Sequence, residues 1–136
     1  MKIVVIDGKG GKMGGAVVEK IASFKKADWE IFAIGTNGVA TSAMLKAGAD
    51  FGATGENPVV VASRDADYII APIGIVIADS LLGEVTAKMA VAVGESSAYK
   101  ILIPVNRCNH HIAGVKDFSI TEYITEIADI IKNQTK

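Results

Sequence analysis

Five glycines lie between Gly8 and Gly15, directly after a short β-branched run and directly before a helical pattern. The run is 2–7, and apolar residues return at helical spacing from Val17 onward. Glycine lets backbone N–H groups come close to a ligand because it has no Cβ, and the start of a helix adds a partial positive charge. The first chemistry that this sequence suggests is therefore the binding of an anion, most often a phosphate.

The spacing of these glycines separates two phosphate-binding patterns. A P-loop ends in Gly-Lys-Ser/Thr, whereas this loop ends in Gly14-Gly15-Ala16 and lacks both the lysine and the hydroxyl that binds Mg²⁺. The dinucleotide pattern Gly-x-Gly-x-x-Gly/Ala fits with one relaxation, because the third glycine, Gly14, comes one residue late. We therefore predict a nucleotide site at this turn. Its residues are Asp7, Gly8, Lys9, Gly10, Gly11, Lys12, Met13 and Gly14.

A dinucleotide site also needs a ribose partner at the end of the second strand. The usual partner is an acidic residue about 20 residues after the glycines. The second predicted strand, 30–35, runs into Gly35-Thr36-Asn37 without an acid. Thr36 and Asn37 can hydrogen-bond a ribose or a 2′-phosphate, and no arginine follows them. The sequence therefore predicts NAD or NADP as cofactor and leaves the choice between the two open.

Other candidate residues follow later strands. The fourth strand of a dinucleotide domain passes beside the cofactor, which assigns Pro72, Ile73 and Gly74 to the site. Asn106 and Arg107 follow the last predicted strand, where an arginine can pair with a phosphate or carboxylate or lie free on the surface. The loop 52–58 either folds over a ligand or merely connects two elements.

The remaining reactive residue types give no assignable catalyst. Neighbouring histidines on a strand point in opposite directions, so Cys108, His110 and His111 leave a zinc site short of ligands, and no metal is predicted. Cys108 can be a nucleophile activated by histidine, but a buried structural cysteine is the commoner outcome. Asp79 and Glu84 are explained by exposure on a helix. Catalytic residues, and whether the chain is an enzyme at all, stay open.

The elements that must position these residues alternate along the chain. Together they predict an α/β fold, a three-layer doubly wound parallel sheet of Rossmann-like type, formed by residues 1–136 as a single domain. Asn37 can cap the second helix, Gly48 can end it, and Ser119 with Glu122 forms a capping box for the last helix. Strands are predicted at 2–7, 30–35, 58–62, 67–71 and 100–105, and helices at 12–26, 38–47, 76–97 and 119–132.

Composition limits the partners. A net charge of −1 over 136 residues and the lack of a basic run give no reason to expect nucleic acid. The apolar runs are far shorter than the ~20 residues of a membrane span, and the single cysteine suits a reducing compartment, so we expect a cytoplasmic protein. Few charges occur in 66–94, which predicts a helix apolar on most sides and hence a second copy of the chain as partner, a homo-oligomer.

Six segments taken together resemble a family of short, uncharacterised bacterial proteins, a domain of unknown function. The resemblance spans almost the whole chain, and it implies that the polar segments share one site. It implies no activity and no catalytic residue. The segments are Asp7–Gly11, Gly35–Asn37, Ala43–Ala49, Gly52–Asn57, Pro72–Gly74 and Pro104–Asn109.

Three functions follow from these patterns. The leading hypothesis is a stand-alone Rossmann-like module that binds a small-molecule nucleotide of NAD(P) type and acts as a sensor or regulatory protein. The alternative is a small enzyme for a phosphorylated or carboxylated metabolite, with Arg107 as clamp, Glu56 or Asp7 as acid/base, and an active site completed at a subunit interface. A structural or interaction protein with an empty glycine turn is the third hypothesis.

Overall fold

The chain forms a sheet of five strands with helices on both faces. The structure is a computed structural model, and it describes residues 1–105 and 109–136. A short 3₁₀ turn, Ile73–Val76, follows the fourth strand. The strands are β1 (Lys2–Asp7), β2 (Glu30–Gly35), β3 (Phe51–Thr54), β4 (Tyr68–Pro72) and β5 (Tyr99–Ile103), and the helices are α1 (Lys12–Ala22), α2 (Gly38–Lys46), α3 (Glu56–Ser63), α4 (Ala87–Glu95) and α5 (Ile120–Gln134).

The strand order confirms the predicted doubly wound α/β fold. The strands lie in the order β3-β2-β1-β4-β5, and each neighbouring pair is parallel. The chain therefore builds outward from β1 to β3 and then returns to the other side of β1. The carboxyl ends of β1 and β4 lie at this reversal, which is where ligands of open α/β sheets bind.

Alternating side chains of β1 pack into two separate hydrophobic cores, one on each face of the sheet. Ile3 and Val5 pack on one face with side chains from α1, α2 and α5. Val4 and Ile6 pack on the other face with side chains from α3 and α4. A strand that is buried on both faces reads as a continuous apolar run, and this is why β1 is predicted correctly.

The predicted strand at 58–62 is wrong. Val59, Val60 and Val61 favour a strand by intrinsic propensity, yet they lie in helix α3. The helix begins with Glu56 in its first turn, and Pro58 follows in that turn, where a missing N–H costs nothing. The strand on that side of the sheet is instead β3, so the segment 52–58 is the end of a strand and the start of a helix. It is not a loop that covers a ligand.

The predicted helix at 76–97 is also wrong over its first half. Only Ala87–Glu95 is helical, and Thr86 starts that helix by accepting a hydrogen bond from the Met89 N–H at 3.2 Å. Residues 77–86, which we call the crossing segment, form an irregular loop. A homo-oligomer stays a prediction, but a long apolar helix no longer supports it. The first helix is shorter than predicted as well, since it ends at Ala22.

Three predicted helix ends are present, at Asn37, Gly48 and Ser119. Asn37 caps α2 by accepting a bond from the Ala40 N–H at 2.9 Å. At the other end of α2, the N–H groups of Gly48 and Ala49 donate to the carbonyls of Leu45 and Met44, and Gly48 has a φ of 120°. This arrangement ends a helix through a glycine in the left-handed backbone conformation.

No helix in the described part of the chain is long and apolar enough to cross a membrane.

Replacing Ser119 with alanine should lower the free energy of unfolding by about 1 kcal/mol. Ser119 Oγ accepts from the Glu122 N–H at 3.2 Å, and the Glu122 carboxylate accepts from the Ser119 N–H at 3.2 Å, so the change leaves a helix-start donor without its partner. Urea unfolding measures the effect. The control is Thr121→Ala on the exposed side of the same turn, which should stay within about 0.5 kcal/mol of the parent. Equal losses in the two variants would contradict the capping role.

Candidate functional site

A cleft of about 260 Å³ lies at the carboxyl ends of β1 and β4, where the strand order reverses. Its walls are the turn 7–13, Pro72 at the end of β4, and Leu81 from the crossing segment. A larger cavity of about 400 Å³ lies between β5 and α5. That cavity is mainly apolar and lies away from the reversal point, so the smaller cleft is the candidate site.

A tight turn joins β1 to α1. The Gly11 N–H donates to the Gly8 carbonyl at 3.0 Å, and Gly11 has a φ of 72°. A Cβ on Gly11 would lie 2.7 Å from Ala40 Cα, in the backbone of α2. Both the left-handed backbone and the close approach of α2 therefore require glycine at this position.

The carboxylate of Asp7 is buried beneath this turn and holds the start of α1. Its Oδ1 accepts from the Gly8 N–H at 2.8 Å, and its Oδ2 accepts from the Gly14 N–H at 2.7 Å. Burial raises the pKa of Asp7 above its ordinary value, and the two backbone bonds act in the opposite direction. Asp7 thus occupies part of the positive end of α1 from inside the protein.

The N–H groups of Lys12 and Met13 remain at the start of α1. Within the described residues neither has a hydrogen-bond partner, and both residues line the cleft. The side chains of Lys9 and Lys12 are exposed beside the same cleft and add positive charge. Unpaired N–H groups with nearby lysines suit a small anion such as a phosphate group.

A carboxylate lies at the end of β2, although the sequence around 35–37 contains no acid. Glu84 Oε1 accepts from Thr36 Oγ1 at 2.6 Å and from Asn37 Nδ2 at 2.7 Å. These two hydrogen bonds hold the pKa of Glu84 below its ordinary value. Asn37 also donates to the Lys9 carbonyl at 3.0 Å, which ties the end of β2 to the glycine turn. The interpretation of Glu84 as a merely exposed helical residue is therefore wrong.

The crossing segment that carries Glu84 is held by its own contacts. The Asp79 N–H donates to the Val85 carbonyl at 2.8 Å, and Leu81 is only 5% exposed within the core beneath α3 and α4. Asp79, Leu81 and Leu82 all have positive φ, between 55° and 64°. Such a conformation costs on the order of 1 kcal/mol or more for each residue that is not glycine, and strain of this kind concentrates at functional sites.

The structure brings together most of the predicted site residues. Residues 7–13 and Pro72 line the cleft, and Gly14 packs beneath it against Asp7. Gly35 donates its N–H to Thr41 Oγ1 at 3.1 Å and so lies inside the turn that presents Thr36 and Asn37. Ile73 and Gly74 lie behind Pro72, where the Gly74 carbonyl accepts from Ser80 Oγ.

Other predicted residues lie elsewhere. Asn106, Arg107 and Cys108 fall outside the described residues. His110 and His111 are exposed and do not line the cleft, and neither does Glu56, at the start of α3. Among the residues described, no three histidine, cysteine, aspartate or glutamate side chains are grouped so that they could hold a metal ion.

Comparison with known proteins gives a family and a distant structural likeness. No curated protein matches the chain. Among solved structures the chain is similar to a dodecameric FMN-dependent UbiX-like decarboxylase from Escherichia coli O157:H7, with 17% identity, coverage of 96% of this chain and 76% of that chain, and a TM-score of 0.48. A likeness this distant carries over neither the flavin nor the assembly of that enzyme. The model of a domain of unknown function, DUF3842, matches residues 2–136, and the chain therefore belongs to the DUF3842 family.

Proposed function

We propose that the chain is a nucleotide-binding protein that holds the phosphate of its ligand at the glycine turn between β1 and α1. The main supporting observation is that the N–H groups of Lys12 and Met13, in a cleft at the reversal point of the sheet, have no partner among residues 1–105 and 109–136. Backbone donors at a helix start bind an oxyanion without any further rearrangement. The proposed role is that of a sensor or regulatory module, because the cleft offers a binding geometry without an assigned catalyst.

The charges around the turn restrict where the phosphate can lie. Asp7 lies buried under the turn and Glu84 lies at the end of β2, whereas Lys9 and Lys12 are exposed at the mouth of the cleft. A phosphate placed against the N–H groups of Lys12 and Met13 lies in the part of the cleft that Lys9 and Lys12 flank. The Asp7 carboxylate already accepts hydrogen bonds from the N–H groups of Gly8 and Gly14 on the same turn.

The finer form of the proposal is a dinucleotide, NAD or NADP. Its second half would extend from the turn along 72–74, and the crossing segment covers that route because Ser80 is bonded to the Gly74 carbonyl. The cleft, at about 260 Å³, is also smaller than the ~300–1,000 Å³ of pockets that enclose drug-sized ligands. The cleft as it stands is therefore better matched to a mononucleotide, and a dinucleotide requires either movement of the crossing segment or a solvent-exposed second half.

One observation favours the alternative of a small enzyme for a phosphorylated metabolite. Asp7 lines the cleft, and burial raises the pKa of its carboxyl group. A carboxyl group with a raised pKa beside a bound substrate can act as an acid or a base. In this alternative the glycine turn holds the phosphate of the metabolite, and Asp7 transfers the proton.

A ligand panel monitored by thermal unfolding tests the proposal. The panel contains NAD⁺, NADH, NADP⁺, NADPH, ATP, AMP, FMN and inorganic phosphate. A nucleotide at about 100 times its Kd should stabilise the protein by about 2.7 kcal/mol, which raises the Tm by several degrees. Stabilisation by sugar phosphates or phosphorylated acids but not by AMP would favour the enzyme instead. If no ligand of the panel raises the Tm, the result contradicts a phosphate site at the turn.

A further inference from the structure

We propose that Glu84 supplies the ribose-binding carboxylate of this site, so that the site accepts nucleotides with free ribose hydroxyls and rejects those with a 2′-phosphate. The inference rests on the proposed nucleotide site at the glycine turn. It names a residue from the crossing segment, far along the chain from the strand end at which it acts. It also decides between the two cofactor classes that the sequence leaves open.

The position of the Glu84 carboxylate carries the first step. In dinucleotide-binding sheets, an acid at the end of the second strand accepts hydrogen bonds from ribose hydroxyls. Here β2 runs into Thr36 and Asn37, and both donate to Glu84 Oε1, at 2.6 and 2.7 Å. A Cβ added to Gly8 would lie 3.4 Å from the same oxygen, so the carboxylate lies beside the first glycine of the turn. In the proposed site, the ribose of a nucleotide whose phosphate lies at the turn is therefore placed beside this carboxylate.

The hydrogen-bonding capacity at this place gives the second step. The side-chain donors of Thr36 and Asn37 are already used by Glu84 Oε1, and the Lys9 N–H also acts on this carboxylate, whose two oxygens together offer about four acceptor sites. A carboxylate can accept further bonds but cannot donate. It therefore suits a hydroxyl, which donates, and it repels a 2′-phosphate, which brings negative charge and acceptors only. Lys9 is the cation that acts on both Glu84 and Asp7.

The way the crossing segment is anchored gives the third step. Leu81 is buried in the core, the Asp79 N–H is bonded to the Val85 carbonyl, and Ser80 is bonded to Gly74. None of these contacts involves the Glu84 side chain. The crossing segment is therefore held in place by contacts other than those of the Glu84 carboxylate. The carboxylate is a preorganised hydrogen-bond acceptor for a ligand.

Isothermal titration calorimetry with 5′-AMP and adenosine 2′,5′-bisphosphate tests the inference. The parent protein should bind 5′-AMP at least about tenfold more tightly, because the second ligand places a phosphate against a carboxylate. Glu84→Gln removes the charge and keeps the shape of the side chain, so the ratio should fall to about threefold or less. Glu56→Gln is the matched control, an exposed glutamate outside the cleft, and it should keep the parent ratio.

The outcomes separate the inference from the function on which it rests. Equal binding of the two ligands by the parent protein would overturn the inference alone. The inference alone would also be overturned if Glu84→Gln binds both ligands more tightly than the parent protein and by the same factor. Glu84 would then be a side chain that occupies the site and that the ligand displaces. Failure of both ligands, and of the whole nucleotide panel, would overturn the proposed function together with the inference. If Glu84→Gln fails to fold, the ratio measured on the parent protein decides.

Discussion

Replacing Gly14 with alanine should destabilise the protein by about 2–3 kcal/mol. A Cβ at this position would lie 2.7 Å from Asp7 Cβ and 2.7 Å from Met44 Sδ, and a Cβ does not approach another non-bonded carbon or a sulfur so closely. Met44 is fully buried, and Asp7 is held by the N–H of Gly14 itself, so relief requires that α1 move away from β1. That movement lengthens the Asp7–Gly14 hydrogen bond and leaves a buried carboxylate poorly satisfied.

Gly15 is the matched control, one residue along the same helix. Its added Cβ would meet the Ala43 carbonyl oxygen at 3.6 Å and Ala47 Cβ at 3.9 Å, which are ordinary contacts. Gly15→Ala should therefore raise the free energy of unfolding by about 0.5–1 kcal/mol, since alanine favours a helix. Urea unfolding of the two variants under one set of conditions provides the measurement. Stabilisation by both substitutions would mean that α1 packs on β1 less closely than the 2.7 Å contacts at Gly14 indicate.

Gly14 and its surroundings could be predicted from the sequence because the interactions are local. The strand β1, the glycine turn and the start of α1 occupy 2–15, and the close packing of helix on strand needs a small residue in this stretch. The same holds for the caps at Asn37 and Ser119, whose partners are three residues away. In such cases the residues that contact each other are also close in the sequence, so a local sequence pattern is enough to predict the contact.

The errors arise where the environment of a residue outweighs its own preference. Val59, Val60 and Val61 prefer strands, but packing of α3 against α4 and the sheet makes them helical. The charge-poor stretch from 77 to 86 resembles a buried helix, yet Asp79, Leu81 and Gly83 adopt left-handed backbone there. Intrinsic propensity predicts neither outcome, because both depend on contacts with distant parts of the chain.

Glu84 was missed for the same reason. Its partner Asn37 lies 47 residues earlier, and no spacing rule connects the two positions. The sequence does contain two hints, namely that β2 ends without an acid and that Glu84 is one of few charged residues in its stretch. The strand order places the chain that leaves β4 next to β1, and only this arrangement brings Glu84 close to the end of β2.

Replacing Gly10 with valine should abolish nucleotide binding, with a loss of affinity of about 100-fold or more, and should leave stability within about 0.5 kcal/mol of the parent. Gly10 is exposed and lines the cleft, its φ lies outside the left-handed region, and a Cβ there would meet nothing within 4 Å. The fold therefore does not need a glycine at this position. A phosphate that rests on the turn does need one, because a side chain would occupy the space of the ligand.

Gly94→Val provides the control for this substitution. Gly94 is also exposed, and its added Cβ would likewise meet nothing within 4 Å, but it lies in α4, away from the cleft. The nucleotide that gives the largest Tm shift with the parent protein should give the same shift with Gly94→Val and none with Gly10→Val. If Gly10→Val binds the nucleotide as tightly as the parent, the phosphate does not lie against the turn and the site must be sought elsewhere. Loss of folding in Gly10→Val would contradict the geometry of the turn itself, in which a Cβ on Gly10 meets nothing within 4 Å.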